Sequence, residues 1–103
     1  MQSTDSQLRE YLTQFTEELE SRGLSGRILE DSDKSRKKLR ITDRDSTKSW
    51  ELRQRDGRTR QPRWRLYEQQ PDNGYKVIEG VESINPGELI RYVIYNLAPG
   101  HIA

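Results

Sequence analysis

The chain has 103 residues, 34% of them charged and only 30% hydrophobic, with a formal net charge of +1 and a mean hydropathy of -1.11. That length suits one domain spanning residues 1–103, with a small core. No stretch reaches the roughly 18 apolar residues that cross a bilayer. The chain has no cysteine and a single histidine, His101, which excludes disulfides and argues against a Cys/His zinc site.

The chain opens with Leu8, Tyr11, Leu12, Phe15 and Leu19 at spacings of three and four, which predicts an amphipathic helix over residues 4–22. Thr4 and Gln7 fit a capping box. Gly23 stands where a left-handed residue would end the helix, with Leu24 folding back onto Leu19.

The middle reads as antiparallel strands. Arg27 to Glu30 is the first. Lys37 to Thr42 alternates, with Leu39 and Ile41 on one side and Lys38 and Arg40 on the other. Ser49 to Arg55 sets Trp50 and Leu52 against Glu51, Arg53 and Arg55. Gln61 to Gln69 sets Trp64 and Leu66 against Arg63, Arg65 and Tyr67. Tyr75 to Gly80 is the last and most apolar strand. Such alternation marks a sheet with one buried and one wet face. Asp43-Arg44-Asp45-Ser46, Asp56-Gly57 and Pro71-Asp72-Asn73-Gly74 supply turn chemistry, the last as a hairpin.

A second helix follows. Asn85 is the expected N-cap, Pro86 suits the first position and Glu88 completes a capping pair. Leu89, Ile90, Val93, Ile94 and Leu97 form its apolar stripe, and Pro99-Gly100 ends it. The expected fold is α+β: a two-layer sandwich in which an antiparallel meander of four or five strands carries both helices on its Trp50, Leu52, Trp64 and Leu66 face. The element order resembles that of double-stranded-RNA-binding domains and of the Alu-binding proteins of the signal recognition particle. The basic start of the former's last helix is replaced here by Asn85-Pro86-Gly87-Glu88, so no functional residues are carried over.

The net charge conceals a segregation. Residues 1–33 carry a net -5, residues 34–65 a net +9 and residues 66–103 a net -3. On the expected register Lys38, Arg40, Arg53, Arg55, Arg63 and Arg65 share the open face with Tyr67, and the loop Asp56 to Pro62 adds Arg58 and Arg60. Cations on one face displace the counterions of a nucleic-acid backbone, and a ring among them can stack on a base. The leading expectation is a small non-enzymatic domain that binds DNA or RNA through these nine residues, without cofactor or metal. The alternative is a protein-interaction module, an inhibitor or assembly subunit docking an acidic partner or forming a homodimer. A plain solvated sheet face is the third reading of the same charges.

Other features carry less. The run Lys34 to Arg40 reads as a connector into a basic strand or as a short localisation signal. Tyr92 and Tyr95 suit either a partner patch or the flank of the last helix. The clusters Glu17, Glu18, Glu20 and Glu30, Asp31, Asp33 lack calcium-loop spacing. No GxxxxGK[ST] or GxGxxG motif occurs. Met1 to Glu10 lacks the basic and apolar parts of a signal peptide, so the expected compartment is the cytoplasm, a host's cytoplasm if the source is viral.

Overall fold

A computed structural model describes residues 4–30, 37–45, 48–54 and 63–97. The expected single N-terminal helix is two: α1 (Thr4–Gln14) and α2 (Thr16–Ser21), joined at Phe15, whose φ of -102° and ψ of 10° lie outside the helical range. The hydroxyls of Thr13 and Thr16 donate back to the carbonyls of Arg9 and Leu12, at 3.0 and 2.7 Å. Such back-bonding competes with the backbone ladder and bends helices. The Phe15 N–H still donates to the Tyr11 carbonyl, and the Phe15 carbonyl accepts from Leu19, at 3.0 and 2.9 Å. The apolar stripe therefore crosses the break, and Leu8, Phe15 and Leu19 are buried together. The expected Thr4–Gln7 capping box rests on the Thr4 side chain, outside those described.

Gly23 ends α2 with φ +70°, and its N–H donates to the Glu20 carbonyl at 3.0 Å. A Cβ would be strained in that conformation, so glycine suits the stop. Leu24 and Leu19 are both buried in the core that follows.

Five strands form one antiparallel sheet in sequence order: β1 (Leu24–Glu30), β2 (Lys37–Asp43), β3 (Ser49–Gln54), β4 (Trp64–Gln69) and β5 (Tyr75–Ser83). β1 starts three residues earlier than its apolar pattern indicates, because Leu24, Ser25 and Gly26 pair with Asp43, Thr42 and Ile41. Gly26 hides that extension by breaking the alternation. Its missing side chain admits Leu12, whose Cδ2 would collide with any Cβ there. Gln61, Pro62 and Arg55, expected at strand ends, lie outside the described residues.

The Asp43 turn holds as an Asx turn: the Asp45 N–H donates to Asp43 Oδ1 at 2.9 Å, while Ser46 lies outside the described residues. Between β4 and β5, the Asn73 N–H donates to the Gln70 carbonyl at 2.9 Å, and Asn73 takes φ +70°. Asp72 Oδ1 accepts from the Gly74 N–H at 2.9 Å. The expected hairpin is thus closed by Asp and Asn, the residues that tolerate this geometry.

β5 runs past its expected end at Gly80. Its register jumps from Tyr67↔Val77 to Arg65↔Glu82, so Ile78 to Val81 bulge opposite Leu66, with Gly80 at φ +81°. The glycine that reads as a strand end is the corner of a bulge.

The last helix, α3 (Pro86–Tyr92), continues as a π-helical turn over Val93–Leu97. Asn85 is its N-cap, accepting from the Gly87 N–H at 2.9 Å. The expected return bond from Glu88 to Asn85 is replaced by a relay. The Asn85 N–H donates to Ser83 Oγ at 3.1 Å, and that hydroxyl donates to Glu88 Oε2 at 2.8 Å. Pro99-Gly100 lies outside the described residues. Leu39, Ile41, Trp50, Leu52, Trp64 and Leu66 from the sheet and Leu8, Leu89, Ile90, Val93 and Ile94 from the helices make one buried cluster. The helices cover one sheet face, as the α+β two-layer expectation requires.

Candidate functional site

The other sheet face is built by the same alternation. Inward Leu39, Ile41, Leu52 and Leu66 turn their neighbours Lys38, Arg40, Glu51, Arg53, Arg65 and Tyr67 outward. Register places them in rows: Arg27, Arg40, Glu51, Tyr67 and Val77 across all five strands, and Arg53, Arg65 and Glu82 across three.

Glu51 organises this face, although alternation alone only places it among the outward residues. Its side chain is 0% exposed, beneath a layer of longer side chains. Arg40 Nε and Nη2 both donate to Glu51 Oε2, at 2.8 and 2.6 Å. Arg53 Nε and Nη2 both donate to Oε1, at 2.9 and 2.5 Å. Lys38 Nζ lies 3.2 Å from Oε1. Burial by itself pushes the Glu51 carboxyl up, but hydrogen bonds from Arg53, Arg40 and Lys38 together outweigh it and hold the group below the usual carboxylate range. Three cations therefore share one carboxylate, and the cluster keeps excess positive charge.

Arg53 is fixed a second way. Its Cζ lies 4.5 Å from the centre of the Tyr67 ring and 5.4 Å from that of Tyr75, while Arg40 lies 5.6 Å from Tyr75. These are cation–π distances. The Tyr75 hydroxyl is 3.1 Å from Ser49 Oγ. Sequence reasoning missed Tyr75 and Ser49. The parity that sets Gln69 beside Tyr75 was the available signal.

Arg63 and Arg65 approach one carboxylate more loosely, with Nε atoms 3.9 and 4.0 Å from Glu82. The bulge leaves a cavity of about 230 Å³ beside them, lined by Arg65 and by β5 from Val77 to Glu82. Lys38, Arg40, Arg53, Arg65 and Tyr67 thus come together on one face, with Arg63 at its border. Arg55, Arg58 and Arg60 lie outside the described residues.

The indoles take no part. Trp50 and Trp64 are 0% and 1% exposed on the helix side, and Trp50 Nε1 donates to Glu68 Oε2 at 3.1 Å. Tyr92 packs partly buried against the core. Tyr95 instead links the two ends of the helical layer: its hydroxyl donates to Glu18 Oε2 at 2.8 Å, and Arg22 lies 5.0 Å from its ring centre.

Among the described residues no group of three or more His, Asp or Glu side chains is placed to hold a metal. No helix among them is long and apolar enough to cross a membrane. No family model, no curated protein and no solved structure matches the chain.

Proposed function

We propose that this chain is a small non-enzymatic nucleic-acid-binding domain of the cytoplasm. It grips the phosphate backbone with its open sheet face, assisted by Arg58 and Arg60. One observation carries the reading: Lys38, Arg40 and Arg53 converge on a single buried carboxylate, with Arg63 and Arg65 nearby. Side chains already held in one rotamer lose less freedom on binding. Three cations over one carboxylate leave the face net positive, and the planar guanidinium fork suits phosphate oxygens. Contacts of this kind carry little sequence information, so binding is sequence-tolerant.

Fluorescence anisotropy with labelled DNA and RNA tests this. With about six phosphate contacts, log affinity falls against log salt with a slope of roughly -4 to -5. Absence of binding to every nucleic acid at about 50 mM salt removes the reading.

A second reading, docking of an acidic protein, rests on the Arg53–Tyr67–Tyr75 stack, because arginine and tyrosine are the residues enriched at protein hot spots. A stable complex with an acidic protein, or a homodimer in light scattering, without nucleic-acid binding is its expected signature.

A further inference from the structure

We infer that the nucleic acid this face takes is a duplex rather than a single strand, an inference that rests on the reading above. Single-strand binders combine a cationic groove with open aromatic rings on which bases stack. Tyr67 and Tyr75 are the two aromatic side chains on the open face among the described residues, and each already carries a guanidinium. Both rings are also half-buried. To stack on Tyr67, a base has to displace Arg53. That arginine is bound at the same time to Glu51 Oε1 through two nitrogens and lies within reach of Tyr75. Displacement therefore forfeits charge-assisted hydrogen bonds to a buried carboxylate as well as the ring contacts. Each such bond is comparable in strength to one base stack, so the exchange gains nothing.

Phosphate asks for no such exchange. Arg40 and Arg53 hold Glu51 through Nε and Nη2, so the Nη1 atom of each stands outside those bonds. Their side chains remain 39% and 27% exposed. A phosphate oxygen can accept from these edges while the Glu51 bonds and the ring contacts stay intact. The duplex is the form with the greater phosphate density, about one charge per 1.7 Å of axis, which favours a rigid cationic face that reads charge alone.

The test compares one labelled strand of about 20 bases, free of self-complementarity, with the same strand annealed to its complement, as DNA and as RNA, at one salt concentration. The duplex is expected to bind at least about tenfold more tightly. Tyr67→Leu is expected to weaken both forms by a similar factor, because the ring acts through Arg53. Equal affinities, tighter binding of the single strand, or a loss in Tyr67→Leu confined to the single strand overturns the inference and leaves the nucleic-acid reading standing. No binding of either form overturns both.

Discussion

Arg40 and Glu51 stand directly opposite each other on β2 and β3, and the guanidinium closes on one carboxylate oxygen through two nitrogens, at 2.8 and 2.6 Å. Cross-strand partners of opposite charge ordinarily add a few tenths of a kcal/mol at a wet surface. Here the carboxylate is fully covered, and its replacement has larger consequences. Glu51→Gln leaves Lys38, Arg40 and Arg53 crowded without a counter-charge. Removal of one partner from a fully buried pair costs about 3–5 kcal/mol. Because Arg40 and Arg53 reach water, the expected loss is about 2–4 kcal/mol. The urea midpoint of the variant measures it.

The same carboxyl sets a dependence on acid. Its folded pKa lies below the ordinary value of 4.5. The unfolded chain therefore takes up the proton first as pH falls. The stabilisation from Glu51 is complete above about pH 4.5 and is lost as pH drops through the folded value. The stability gap between the natural chain and Glu51→Gln is expected to be widest near neutrality and to shrink on acidification. Urea titrations at stepped pH read this directly.

Trp64 anchors the opposite face at 1% exposure. Trp64→Ala is expected to cost roughly 3–5 kcal/mol, through lost burial and the cavity left behind. Thermal or urea unfolding is the readout. An exposed indole at this position would give almost no change.

Gly26 and Leu12 form a tight contact between β1 and α1. Gly26→Ala forces Leu12 out of its place and is expected to destabilise by about 1–3 kcal/mol. In the double variant with Leu12→Ala, much of the Gly26→Ala penalty disappears. A double-mutant cycle in urea measures this non-additivity.

Arg40→Ala and Arg53→Ala address the proposed interface. Each removes a proposed phosphate contact and is expected to lower the magnitude of the salt slope of nucleic-acid binding by about 1. Lys76→Ala, on the helix-facing side of β5, is the control and leaves the slope unchanged. Anisotropy titrations between about 50 and 200 mM salt give all three slopes.

Period-two alternation made the meander legible in the sequence. Leu39, Ile41, Trp50, Leu52, Trp64 and Leu66 fall into phase with one another, and their neighbours go to the other face without further assumption. Asn85 and Pro86 marked the start of α3 for equally local reasons. The break at Phe15 was invisible, because Phe15 keeps its place in the apolar stripe while threonine hydroxyls bend the chain around it. Gly26 and Gly80 misled in opposite ways: one belongs inside a strand because a leucine needs its space, the other turns a bulge. For the candidate site, alternation revealed which cations share a face. The burial of Glu51 was not legible, because it depends on three side chains from two strands meeting over one carboxylate. A formal charge reads the same whether covered or wet.

The bulge at Ile78 to Val81 also limits how far the sheet can extend. β5 is an edge of the sheet described here, and a strand edge invites further strands. A newcomer needs a long, uniform ladder of backbone groups. Between Val77 and Glu82 the chain steps out of register, turning at Gly80 with positive φ. A foreign strand laid along β5 would lose the ladder partway. The irregularity that shapes a cavity beside Arg65 thus also hinders strand addition along this edge, in concert with the exposed Lys76 near the start of β5.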